Sequence, residues 1–148
     1  MKEFPHHYAV TAAGEPEGDI TLDAPRLPRI ISATPPEFDG PGHRWSPEAL
    51  LVASVADCFV LTFRAIARLS NLPWISLTCD VTGTLDRVDR VTQFTEFRVH
   101  ASLTVPEGTD DARARQVLAR AEQHCLITNS MRAARRLEIE VHMMAPVS

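Results

Sequence analysis

Three cysteines are the residues of this chain whose chemistry could go beyond packing: Cys58, Cys79 and Cys125. Cys58 lies inside Trp45–Phe59, WSPEALLVASVADCF, an apolar stretch whose only charges are Glu48 and Asp57. Cys125 ends the stripe Val117, Ala121, Cys125, and Cys79 falls on the apolar side of the alternating segment SLTCDVTGTL. Free cysteine is often a small buried hydrophobe, and that reading suits Cys79. A reactive thiol is the alternative for the other two. The thiolate is the nucleophile, and an ordinary thiol with a pKa of about 8.5 is only a few per cent ionised at neutral pH. Apolar burial lowers that fraction further, and Cys58 is too far inside its helix for the N-terminal dipole to help. A cation has to come from elsewhere. Lys2 is the only lysine, so an arginine or a protonated histidine must supply it.

The elements that hold these residues read clearly in places. Ser46 is a good N-cap, Pro47 suits the first helical position, and Glu48 complements the positive helix end. The helix is expected to run to Ser70, where Asn71-Leu72-Pro73 stops it. Its first half is apolar all round, as in a buried helix. Leu77, Cys79, Val81 and Leu85 share one face of a strand, and Phe97, Val99, Ala101, Leu103 and Val105 share one face of the next. Such period-2 alternation predicts a half-buried antiparallel pair joined around DRVDR. A second helix is expected from Thr109-Asp110 to Cys125, a short one over MRAARR capped by Asn129 or Ser130, and a last strand over LEIEVHM. Arg132, Arg135 and Arg136 then form a solvated basic helix face. The first 45 residues, rich in proline and glycine, offer short strands at Tyr8–Ala12, Asp19–Asp23 and Arg29–Ala33. The order predicts a single α+β domain over residues 1–148.

Composition narrows the function. The net charge of −4 argues against nucleic acid. No apolar run reaches the roughly 18 residues of a membrane span, and the N-terminus has no signal-like apolar core, so a cytoplasmic location is expected. Three cysteines without paired spacing suggest neither a secreted disulfide framework nor a zinc or thioredoxin motif. The histidines, His124 beside Cys125 included, suggest no metal site, and no cofactor motif is found.

SPEALLVASVADCF followed by AEQHCLITNS resembles the OsmC/Ohr family of thiol-dependent hydroperoxide reductases. The family pattern places Pro-Glu at the helix start and the reactive cysteine ten residues after the glutamate, matching Glu48 and Cys58. Cys125 matches the second cysteine. The resemblance implies an OsmC-like fold, with an antiparallel sheet packed on a long buried central helix in an intertwined homodimer. It implies Cys58 as the peroxidatic thiol, Cys125 as the resolving thiol, and Glu48 orienting an arginine that stabilises the thiolate. The implied partners are an organic hydroperoxide and an external dithiol reductant. The chain departs from the family in three places. Glu37 precedes the triplet Phe38-Asp39-Gly40 where the activating arginine often stands, leaving Arg44, Arg29 and Arg26 as substitutes with Arg44 preferred. Leu126 replaces the usual proline, and Asp57 a small residue. A second reading is a non-catalytic redox-sensing or small-molecule-binding dimer that keeps the fold.

Helix geometry bears on assembly. Ten residues of straight helix separate Glu48 from Cys58 by about 15 Å, which no side chain spans. The intervening segment has neither glycine nor proline to break it. Both this gap and the all-round apolar surface are resolved if a second copy supplies its own helix and glutamate across a two-fold axis.

Overall fold

The computed structural model describes residues Met1–Ala145. They form two compact units, one over Met1–Leu51 and the other from Val52 onward, with the boundary inside the long helix.

The first unit holds a small antiparallel sheet of β1 (Thr11–Ala13), β2 (Ile20–Asp23) and β3 (Ile30–Ser32), with β2 central. The register pairs Ala12 with Leu22 and Thr21 with Ile31. These strands are shorter than their sequence segments because glycine and proline punctuate both sides. A 3-10 turn over Pro36–Phe38 ends at Asp39 in the left-handed region (φ 65°). Gly40 follows under a close backbone approach: a Cβ there would run into the Thr34 carbonyl, so only glycine fits.

Helix α1 spans Pro47–Leu69. Ser46 Oγ accepts the Ala49 N–H at 3.1 Å, satisfying one of the orphan donors of the first turn. At the other end Asn71 adopts φ 53°, and paired bonds close the turn: Leu72 N–H to Ala67 O at 2.9 Å and Asn71 N–H to Arg68 O at 3.2 Å. That is a Schellman motif with asparagine in the left-handed position, the stop expected from Asn-Leu-Pro. Only Val55, Phe59, Phe63, Ile66 and Ala67 are buried, while Leu61 and Leu69 are exposed. An 18-residue window of α1 reaches a mean hydropathy of 1.9, apolar enough by length and composition to cross a membrane despite its charges. Phe59 and Phe63 are fully covered and mark the one face of α1 that packs against the core.

The second sheet contains β4 (Ser76–Val88), β5 (Val91–Pro106) and β6 (Ala134–Met144), with β5 central. β4 and β5 make an antiparallel hairpin closed by Asp89 and Arg90, both at positive φ (51° and 69°), as a two-residue turn of the favoured twist requires. The inward residues of β5, Phe97, Val99, Ala101, Leu103 and Val105, are all buried.

Three expectations are corrected. The sheet is mixed rather than antiparallel, because β6 runs parallel to β5 after a crossover through α2 (Asp111–Gln123) and α3 (Leu126–Asn129). Leu85 is exposed, since a register shift at Thr84/Leu85 displaces it from the face of Leu77 and Val81. MRAARR forms no helix: the short helix lies earlier, and Ala134-Arg135-Arg136 already belong to β6, paired with Glu96-Phe97-Arg98. The alternation that β6 shows over LEIEVHM extends back through these arginines, and pairing with a long central strand outweighs their helix propensity.

Helix α2 starts where Asp110 accepts the Ala112 and Arg113 N–H groups, and it buries Ala114, Val117, Leu118 and Ala121. It stops at Gln123, so Cys125 is not its last residue but the N-cap of α3.

Candidate functional site

Cys58 is half-buried on α1 between exposed Asp57 and buried Phe59. Its thiol lies 3.8 Å from the hydroxyl of Thr62, one turn further along the same helix. It also lies close enough to the thiol of Cys125 to affect that thiol's acidity, so the second unit brings together two sulfurs that lie far apart in sequence. Cys125 is 2% exposed. Burial pushes its pKa up, the neighbouring polar groups of Thr128 pull it down, and the adjoining Cys58 raises it again, leaving a net increase. Thr128 is itself buried, and its Oγ1 is 3.1 Å from the Cys125 carbonyl oxygen.

Cys79 is the third member of this neighbourhood. Burial, then the Asp80 charge and Cys125, push its pKa up to about 12. At neutral pH it is a protonated thiol on the inner face of β4, paired with Ala101. A thiol so rarely ionised is a poor nucleophile, in keeping with packing.

Residues preceding Val52 are placed as follows. Glu48, in the first turn of α1, lines a largely apolar cavity of about 400 Å³ with Ile20, Leu22, Ala33, Phe38 and Leu50. Its Oε1 is buried and has no hydrogen-bond partner among the described residues. A carboxylate oxygen left this way is costly, and a donor on it would relieve the cost. Arg44 Nε is 3.2 Å from Asp19 Oδ2, and Arg29 grips Asp23 through two bonds of 2.8 and 2.9 Å. Both arginines, with His43 and Trp45, line an open cleft of about 620 Å³. Arg26 adopts φ 62° in the turn before β3. Since α1 runs unbroken, Glu48 and Cys58 remain about 15 Å apart along it. His124 is exposed, and its backbone N–H closes the end of α2.

Sequence reasoning passed over Thr62 and Thr128 and gave Arg135 no part in the site. The first two left a faint trace, a threonine four residues after Cys58 and three after Cys125, where a hydroxyl on a helical turn can reach back. Arg135 is not on a solvated helix face. It is half-buried on β6 and bonds Glu122 and Asn129, on either side of Cys125, while Arg136 makes an exposed ion pair with Glu96.

Residues 40–140 match the profile described as OsmC-like protein. The chain is 25% identical to the uncharacterized protein YmaD of Bacillus subtilis over 140 residues, covering 91% of this chain and 93% of that protein. Among solved structures it is similar to an OsmC-like protein of unknown function from Vibrio cholerae. That match has a TM-score of 0.83 and 17% identity, covering 92% of this chain and 100% of the other. It is similar also to an organic hydroperoxide resistance protein OsmC from Legionella pneumophila. Here the TM-score is 0.74 and the identity 21%, covering 95% of this chain and 99% of the other.

Proposed function

Since the chain belongs to the OsmC-like protein family, we propose that it is a thiol-dependent peroxidase that reduces organic hydroperoxides through Cys58 and Cys125. The observation that carries this reading is the neighbourhood of the two free thiols, Cys58 and Cys125, which come together from distant parts of the sequence. The Cys58 thiolate attacks the peroxide oxygen of ROOH, the O–O bond breaks, and the alkoxide takes a proton to leave as ROH. Cys58 is then a sulfenic acid. The Cys125 sulfur attacks it, a disulfide forms, and the hydroxyl leaves as water with the Cys125 proton. An external dithiol returns both thiols by exchange and is itself oxidised to a disulfide. The apolar length of α1 beside Cys58 favours alkyl hydroperoxides over hydrogen peroxide.

The cation in this scheme is an arginine, Arg44 foremost, with Arg29 and Arg26 behind it. Arg44 must exchange its bond to Asp19 for the thiolate, and Glu48 holds the guanidinium in place. Glu48 reaches Cys58 only from a second copy of the chain, because about 15 Å of helix separates the two within one copy. The apolar but largely uncovered surface of α1 supports the same assembly, a cytoplasmic homodimer with composite sites.

The decisive experiment follows consumption of cumene hydroperoxide and of hydrogen peroxide with a dithiol as reductant, on the wild type and on Cys58→Ser. Turnover of the organic peroxide that disappears with Cys58 is expected. Absence of turnover in the wild type refutes the catalytic reading and favours a redox-sensing or small-molecule-binding dimer. Sedimentation at micromolar concentration is expected to give a dimer, and a stable folded monomer refutes the composite site.

A further inference from the structure

The segment that carries Cys125 is anchored from outside by one guanidinium. Arg135, on β6, extends its fork across the junction of α2 and α3. Nε is 2.6 Å from Glu122 Oε1, Nη2 is 3.0 Å from the Glu122 carbonyl oxygen, and Nη1 is 2.7 Å from Asn129 Oδ1. Glu122 stands three residues before Cys125 and Asn129 four after it, so the same side chain holds both flanks of the cysteine. Asn129 ties the segment to itself: its Nδ2 donates to Gln123 O at 3.1 Å and its backbone N–H to Cys125 O at 2.9 Å. The Arg135 and Glu122 side chains are only 25% and 21% exposed, which limits solvent screening of the pair. Three acceptors around one planar fork are a geometry that a lysine ammonium cannot reproduce.

Disulfide formation is sensitive to such anchoring. Cα atoms must come within about 4.4–6.8 Å with a restricted torsion about the sulfurs, so a small drift of Cys125 takes its thiol out of reach. We infer that Arg135 is a positioning residue that holds the Cys125 thiol against Cys58 and thereby sets how readily the two join. This rests on the reading of Cys58 and Cys125 as a redox pair. Arg135 acts through Glu122 and Asn129 and takes no part in the bond changes.

The test uses glutathione redox buffers, with no peroxide present. Oxidised glutathione gains two electrons from the thiol pair and leaves as two reduced glutathiones, so the equilibrium disulfide fraction gives the effective concentration of one thiol at the other. Full-length wild type, Arg135→Gln, Arg135→Lys and Arg136→Gln are compared below their melting temperatures, with the Cys58–Cys125 disulfide assigned by mass spectrometry. Arg135→Gln is expected to lower the effective concentration tenfold or more, Arg135→Lys to recover only part of it, and Arg136→Gln to leave it unchanged. In a Cys125→Ala background, alkylation of Cys58 by iodoacetamide is expected to keep its rate when Arg135→Gln is added. A general loosening of the fold would change that rate as well. An unchanged effective concentration in Arg135→Gln overturns the proposal, as does an equal change in alkylation. If Arg135→Gln does not fold, Glu122→Gln removes the same charge pair at constant size and carries the same expectations. A wild type that forms the disulfide but consumes no hydroperoxide refutes the peroxidase and leaves the anchor standing. A wild type that never forms the disulfide overturns the anchor proposal.

Discussion

Replacing Cys125 with alanine separates peroxide attack from resolution. The side chain is 2% exposed, so alanine keeps an apolar group in an apolar place and introduces no donor that would need a partner. The stability cost is that of one small buried group, about 1 kcal/mol. The chemical effect is larger. Given excess organic hydroperoxide and no reductant, the wild type should stop at a disulfide, with the loss of two hydrogens. The alanine variant should continue from sulfenic to sulfinic acid on Cys58. The pH dependence of the resolving step follows from the burial that raises the pKa of Cys125. An ordinary thiol is about 3% ionised at pH 7, and each further unit of pKa divides that fraction by about ten. Disulfide formation should therefore rise about tenfold per pH unit and continue rising past pH 8.5, where an ordinary thiol begins to level off. Rapid acid quench after one equivalent of peroxide, read by intact mass, gives the rate from pH 6 to 9.5. A rate independent of pH, a plateau below pH 8.5, or no sulfinic acid in the alanine variant refutes the assignment of Cys125 as the resolving thiol.

Other substitutions test the scaffold. Phe63, fully buried and packed edge-on against Trp74 with ring centroids 5.2 Å apart, should cost about 3–5 kcal/mol as Phe63→Ala, seen as a fall in the urea midpoint at constant m. A Cβ at Gly83 would stand 2.9 Å from Phe94 Cε1 and 3.0 Å from both Phe97 Cε1 and Val52 Cγ2, so Gly83→Ala should cost about 1–3 kcal/mol, and an unchanged melting temperature would refute the packing described. Cys79 holds its proton up to about pH 12 when folded, against about 8.5 unfolded, so its contribution to stability is complete below pH 8.5 and is lost as the pH rises toward 12. The slope is at most about 1.4 kcal/mol per pH unit, reduced by solvent at this half-buried position. Cys79→Ala should flatten the decline between pH 8.5 and 10.5, and parallel curves for the two proteins would refute the shift.

What the sequence determined by itself is what neighbouring residues enforce. Ser46 begins α1 and Asn71 ends it because their bonds close within a few residues. The inward faces of β4 and β5 follow from strict alternation, and Asp110 starts α2 by capping N–H groups two and three positions ahead. These are short-range effects, and the residue types suffice to write them. The tertiary structure decided the rest. Whether β6 would run parallel or antiparallel depends on the crossover, and the alternation of LEIEVHM is the same either way. The register shift at Leu85 is a property of the pairing with β5. MRAARR reads as helix until the central strand pairs with its arginines. The candidate site follows the same division. A cysteine on an apolar stripe is visible in sequence, but its nearness to another thiol is not. Nor are the rise of Cys79 to about pH 12 and the grip of Arg135 on both flanks of Cys125. Each depends on which side chains meet after distant segments pack, and on how much water that packing excludes.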